Sequence, residues 1–187
     1  QHRKEGKIMN LNEPLAYRVR PKTLEEYVGQ EHVIGEGKIL YRTIKADRLS
    51  SIILFGPPGC GKTSLARVIS ETTKYKFYKI NAVTAGVSDI KKVIEETKNF
   101  MLNPTGKSIL FIDEIHRFNK LQQDALLPYV ENGTIILIGA TTENPYFEVN
   151  KALISRSMVV KLEPLTTENI YTILKNALKN KEGLRRI

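Results

Sequence analysis

The residues Gly56-Pro57-Pro58-Gly59-Cys60-Gly61-Lys62-Thr63 constrain this chain more than any other stretch. They follow a β-branched apolar run, Ser51–Phe55, and open an amphipathic stretch, Lys62–Thr73. The pattern is G-x-x-x-x-G-K-T between a strand and a helix. Glycines let the backbone curl until its N–H groups point inward around a β-phosphate, and the next helix turns its positive end to the same anion. Lys62 is then expected to reach the β- and γ-phosphates of ATP, and Thr63 to offer its hydroxyl to Mg²⁺. Gly56, Pro57, Pro58, Gly59, Cys60, Gly61, Lys62, Thr63 and Ser64 form the expected phosphate-binding set. A structural turn is the bland alternative, which the strand–loop–helix context disfavours.

Further apolar runs lie at Lys76–Ile80, Ser108–Ile112, Thr134–Gly139 and Met158–Leu162. They are short and continuous, not alternating, as strands buried on both faces are. Helical patterns lie between them at Ser88–Met101, Lys120–Glu131 and Lys151–Arg156. The alternation predicts an α/β fold: a P-loop NTPase with a parallel five-stranded sheet and helices on both faces. After Pro164, Thr166–Lys181 reads as another helix, with Ile170, Ile173, Leu174 and Ala177 on one face. The expected organisation is a flexible segment at 1–12, an α/β nucleotide domain at 13–164, and the start of an α-helical lid at 165–187.

The second chemical signal is Asp113-Glu114, two acids directly after the apolar run Ile109–Ile112. Strand carboxyl ends are where open α/β sheets bind ligands. Asp113 would hold the Mg²⁺ shell, and Glu114 would orient and deprotonate the attacking water. Such a pair also caps helices, but its position fifty residues after Thr63 favours chemistry. Thr142, in Ala140-Thr141-Thr142-Glu143-Asn144-Pro145, would sense the γ-phosphate or the lytic water; a hydroxyl-rich turn before Pro145 is the alternative. Arg156, just before the last run, would either pair with a surface acid or act as a finger on a neighbouring subunit's γ-phosphate. His116, Arg117 and Asn119 read as polarity at a helix start, ahead of a metal cluster or a DNA contact. Cys60 sits at a free position of the phosphate loop; it needs no role there and could make the site sensitive to oxidation.

Composition narrows the partners. The net charge of +9 favours polyanions such as DNA, although phosphate binding alone accounts for part of it. No run approaches the roughly eighteen apolar residues of a membrane span, so no membrane role is expected. One cysteine allows neither an internal disulfide nor four-cysteine zinc, and a reducing cytoplasm is expected.

The assembled motifs resemble AAA+ ATPases of the clamp-loader group, and within it the replication-associated recombination protein A family, which includes Werner helicase-interacting protein 1. The resemblance runs from about Pro14 to Lys179. It is carried by Pro14-Leu15-Ala16-Tyr17-Arg18-Val19-Arg20-Pro21-Lys22-Thr23-Leu24 and Tyr27-Val28-Gly29-Gln30-Glu31-His32. Asp113-Glu114-Ile115-His116-Arg117-Phe118-Asn119-Lys120 and Ile138-Gly139-Ala140-Thr141-Thr142-Glu143-Asn144-Pro145 complete it.

The resemblance implies that Tyr27–Gln30 wraps the adenine, with Val28 and Gly29 nearest the base. It implies Thr142 as the sensor-one residue, Arg156 as the trans-acting finger, and Asn81 as a residue that holds Glu114 inactive until DNA binds. Family members form ring-like homo-oligomers, often tetramers. They act at stalled forks on forked or single-stranded DNA, associate with single-stranded-DNA-binding protein, and work in the nucleoid. The sensor-two arginine and the assembly domain would lie beyond this chain, which reads as a fragment with weak turnover of its own.

Three function classes remain. One is a Mg²⁺-dependent ATPase, as the intact Lys62 and Glu114 indicate. The second is a clamp-loader-like or recruiting subunit that binds ATP without turnover. The third is a kinase, which would need a phosphoacceptor pocket that no residue pattern supplies.

Overall fold

The computed structural model describes residues 14–180 and 183. The expected flexible segment 1–12 and the last residue of the expected final helix, Lys181, lie outside the described residues. The chain divides into two compact units, Pro21–Thr166 and a smaller one joining the segments on either side of it.

The larger unit is built on five parallel strands: β1 Ser51–Phe55, β2 Lys76–Asn81, β3 Ser108–Asp113, β4 Ile135–Thr141 and β5 Ser157–Lys161. Their order is β2-β3-β4-β1-β5. Side chains alternate across the sheet because successive Cβ atoms point to opposite faces. Ile52, Leu54, Ile109, Phe111, Ile136 and Ile138 join one core cluster with Leu65, Ala66, Val68 and Ile69. Ile53, Leu110, Ile112, Ile135 and Leu137 join the other, with Ile90, Val93, Ile94 and Leu153. Every residue of β4 is buried, so that strand has no polar face to pattern.

The sheet order decides where chemistry can happen. β4 lies between β1 and β3, pairing Leu54 with Ala140 and Phe111 with Ile138. The loops after β1, β3 and β4 therefore leave one edge of the sheet side by side, the position at which open α/β sheets bind ligands.

Around the sheet lie α2 Glu31–Ile34, α3 Ile39–Lys45, α4 Lys62–Thr73, α5 Val87–Lys98, α6 Lys120–Asp124, α7 Leu127–Glu131, α8 Pro145–Glu148 and α9 Lys151–Ser155. The single helix expected over Lys120–Glu131 is two helices, α6 and α7. Its start follows from Asn119, whose side chain accepts from Gln122 N while Gln122 Oε1 accepts from Asn119 N. Its break follows from Pro128, which has no N–H to return to Asp124 and crowds that carbonyl. The expected Ser88–Met101 helix ends earlier, with α5 stopping at Lys98 and Asn99 extended.

The smaller unit contains α1, Leu15–Arg18, and α10, Thr167–Lys179. Arg20 donates from Nη1 to Tyr17 O at 2.7 Å and stacks its guanidinium 3.9 Å from the Tyr17 ring centroid. α10 carries the expected apolar stripe, and Ile170, Ile173 and Leu174 on it are exposed.

Candidate active site

The phosphate loop leaves β1 at Gly56, whose N–H donates to Thr141 O at 3.2 Å. No side chain fits at Gly56, because a Cβ there would come within 2.7 Å of Leu162 O. Gly59 and Gly61 take φ of +75° and +98°, the left-handed region open to glycine at no steric cost. Gly61 is also the N-cap of α4 and supplies no side-chain cap. The first-turn N–H groups of this twelve-residue helix are thus left for a ligand. Pro58 and Gly59 are exposed, Pro57, Lys62, Thr63 and Ser64 half-buried, and Gly56 and Cys60 buried. Lys62 Nζ donates to Gly56 O at 2.8 Å and Pro57 O at 2.9 Å, so its ammonium lies over the loop. Cys60 belongs to the core cluster at 1% exposure, with its Sγ 3.8 Å from Lys62 Nζ. Its side chain therefore packs into the core and turns away from solvent.

β3 delivers the acids. Asp113 Oδ1 accepts from Glu114 N at 3.0 Å, which turns the chain at the strand end. Glu114 has φ +54°, ψ +45°, a conformation costly for a residue with a Cβ. Such strain persists where surrounding structure fixes it, and it concentrates at functional sites. The Glu114 carboxylate lies 3.9 Å from Arg117 Nε, both side chains being substantially exposed.

Beside these acids, β4 ends at Thr141, two residues later than expected. Thr141 is 1% exposed, and its Oγ1 bonds His116 Nδ1 at 2.8 Å and accepts from Glu143 N at 3.0 Å. Thr142 follows, exposed, at the same sheet edge as Asp113. His116 lies in a 3₁₀ turn, Ile115–Arg117, and its partner is a hydroxyl. Among the described residues, no three His, Cys, Asp or Glu side chains group to hold a metal ion. Asn81 pairs in register with Asp113, but its side-chain oxygen accepts from Val83 N at 2.9 Å and is not turned to Glu114.

Arg156 follows α9. Its Nη2 meets Glu131 Oε1 at 2.9 Å and its Nη1 donates to Ala152 O at 2.9 Å. The surface-acid pairing is thus present within this chain, formed between the last residue of α7 and the residue that follows α9.

Val28 is half-buried and Gly29 buried with φ +87°. Their neighbours reach the phosphate loop: Tyr27 Oη donates to Gly61 O at 3.0 Å, and Gln30 Nε2 to Cys60 O at 3.1 Å. Burial, with a smaller contribution from Cys60, pushes the Tyr27 phenol above its ordinary value, so it remains a donor. These two grips are not legible in the sequence, since contacts over 34 and 30 residues leave no periodic signal.

The geometry fits a nucleoside triphosphate with a divalent cation. Mg²⁺ is commonly held by one or two carboxylates, phosphate oxygens and water, not by an all-protein cage. Thr63 and Asp113 are a donor set of that kind.

A family model described as ATPase family associated with various cellular activities (AAA) matches residues 52–164. Replication-associated recombination protein A of Haemophilus influenzae is 51% identical over 172 residues, which cover 91% of this chain and 38% of that protein. ATPase WRNIP1 of Dictyostelium discoideum is 51% identical over 166 residues, covering 89% of this chain and 19% of that protein. Among solved structures, Thermotoga maritima RuvB, described as a Holliday junction branch migration motor, superposes with a TM-score of 0.70 at 28% identity. That match covers 87% of this chain and 54% of the other. The chain spans 38% of the length of the bacterial relative, with which it shares half of its aligned residues. On the fold, the site and these matches together, the chain belongs to the AAA family of ATPases.

Proposed function

We propose that this chain binds ATP with Mg²⁺ and hydrolyses it, as the motor core of a factor that acts on forked or single-stranded DNA. The observation that carries the reading is the meeting of three loops at one sheet edge: Gly56–Gly61 after β1, Asp113–Glu114 after β3 and Thr141–Thr142 after β4.

Each residue has a task. Gly56, Pro57, Pro58, Gly59, Cys60 and Gly61 present backbone to the phosphates, and Lys62, Thr63 and Ser64 open the helix aimed at them. Val28 and Gly29 line the base. Thr63 and Asp113 hold Mg²⁺, which when bound neutralises charge on the β- and γ-phosphate oxygens. Glu114 accepts a proton from water as its oxygen bonds the γ-phosphorus and the bond to the β–γ bridging oxygen breaks. Thr142 positions that water or the γ-phosphate. Arg156 leaves Glu131 and reaches the γ-phosphate bound to a neighbouring copy in a homo-oligomer, a tetramer by resemblance.

The DNA role rests on the net charge of +9 and on relatives named for replication-associated recombination. Single-stranded-DNA-binding protein is the protein partner expected from the resemblance, in the nucleoid of the cytoplasm. Among the described residues no helix is long and apolar enough to cross a membrane. An ATP-bound recruiting module is the second reading, and Glu114 weighs against it, since a base for the attacking water is dispensable without turnover.

The test is ATP hydrolysis by the whole protein with forked DNA, single-stranded DNA or none, across a salt series. Stimulation by DNA that weakens steeply with salt is expected, because contacts to phosphates release counterions. DNA-independent turnover with flat salt dependence would contradict the DNA assignment.

A further inference from the structure

Gln30 is 5% exposed and holds φ +60°. Its side-chain amide makes three hydrogen bonds, all to backbone. Nε2 donates to Cys60 O at 3.1 Å and to Glu163 O at 2.7 Å, while Oε1 accepts from Glu163 N at 2.9 Å. One amide thus bridges the phosphate loop and the segment that follows β5. Three residues earlier, Tyr27 Oη takes the next carbonyl of the loop, Gly61 O.

The chemistry explains why donors are needed there. A loop that turns its N–H groups toward an anion turns carbonyls outward, and buried carbonyls require partners. Gln30 supplies the donor for Cys60 O, and Tyr27 adds a second donor to Gly61 O, which also accepts from Leu65 N at 2.9 Å. At position 30 a glutamate would lose both donated bonds, and an asparagine would fall one methylene short. At Glu163 the amide grips both backbone groups of one residue, so the path of the chain there follows the position of Gln30. Pro164 has no N–H, and Glu163 is the last residue before it able to be held this way.

We propose that Gln30 is a positioning residue that couples the setting of the phosphate loop to the backbone at Glu163, from which the chain runs on to α10. Nucleotide binding changes how tightly the Cys60 carbonyl is held, and the shared amide passes that change to the Glu163 N–H. The proposal rests on the reading of Gly56–Thr63 as the ATP site.

The experiment combines ATP titration calorimetry with amide hydrogen exchange at Glu163 followed by NMR. It uses the wild-type chain, Gln30→Met, which keeps the length of the side chain without its polar atoms, and Tyr27→Phe. In the wild type, saturating ATP–Mg²⁺ is expected to slow exchange at Glu163 at least threefold. In Gln30→Met, ATP affinity falls about tenfold, the scale of one or two lost hydrogen bonds, and ATP no longer alters exchange at Glu163. In Tyr27→Phe affinity falls severalfold while the Glu163 response persists, because Gln30 is intact. A wild-type chain that binds ATP with no change at Glu163 overturns the coupling and leaves the ATP site standing, and that arm needs no variant to fold. Unchanged affinity and response in Gln30→Met also overturns it. A wild-type chain that binds no ATP removes the ATP site and the coupling together.

Discussion

His116 Nδ1 and Thr141 Oγ1 lie 2.8 Å apart, joining the turn after the acidic pair to the last residue of β4. The same hydroxyl accepts from Glu143 N, so two contacts on one buried oxygen set the direction in which the chain leaves the strand through Thr142. Removing the imidazole leaves that hydroxyl one partner short. His116→Ala is expected to lower stability by about 1–2 kcal/mol. It should reduce ATP turnover more than ATP affinity, because it loosens the Glu114 and Thr142 loops and not the phosphate loop. Denaturant unfolding and a side-by-side titration and turnover assay check this, and unchanged turnover would count against it.

Lys62→Ala removes the point charge that faces two phosphates in the proposed complex. The expected result is ATP affinity at least tenfold weaker and no measurable turnover, with unfolding close to wild type because the side chain is only half-buried. Fluorescent-nucleotide titration reads the affinity. Wild-type affinity in a folded Lys62→Ala chain would remove Gly56–Thr63 as the binding site.

Gly61→Ala meets two obstacles. The residue sits at φ +98°, and a Cβ would overlap Tyr27 Oη and lie 3.3 Å from Tyr27 Cζ. The strained backbone alone costs about 1–2 kcal/mol. Stability is expected to fall by at least that much, with ATP binding reduced as the Tyr27 contact is lost. A neutral effect in chemical denaturation would mean that the loop readjusts freely.

Arg156 and Glu131 are both substantially exposed, so their ion pair contributes at most about 1 kcal/mol. Glu131→Gln is therefore expected to leave stability unchanged within that range. Arg156→Ala is expected to abolish turnover while preserving ATP binding, since it is a neighbour that loses the guanidinium. Mixing inactive Arg156→Ala with inactive Glu114→Gln should restore part of the activity in the whole protein. An Arg156→Ala subunit keeps an intact site and borrows the arginine of its Glu114→Gln neighbour. Exchange of subunits without recovery would contradict a trans-acting finger.

What could be read from the sequence was local. β1 and α4 have the residue bounds expected of them, because a β-branched run, a glycine loop and an amphipathic stretch each signal within a few residues. The central strands β1, β3 and β4 were legible for the same reason, as continuous apolar runs buried on both faces, whereas the edge strands β2 and β5 are only partly buried. The apolar run stops at Gly139 whereas β4 continues to Thr141, because bonds with His116 and Glu143 N give that polar hydroxyl a buried place. The short helix α8 was missed although Asn144 before Pro145 is a helix-start signal, with Asn144 Oδ1 accepting from Tyr146 N. The grip of Tyr27 and Gln30 on the loop, and of Arg156 on Glu131, depends on how distant segments pack. No spacing in the chain encodes those contacts.

The central claim is that ATP is hydrolysed here with Glu114 as the base. The most direct test measures ATP–Mg²⁺ affinity and single-turnover hydrolysis together for wild type and Glu114→Gln. The amide keeps the shape and the hydrogen-bonding reach of the carboxylate but does not accept the proton of water. Affinity within about threefold of wild type is expected, with hydrolysis slower by about 10²–10⁴-fold. Hydrolysis above a tenth of wild type, or loss of binding together with hydrolysis, would contradict it.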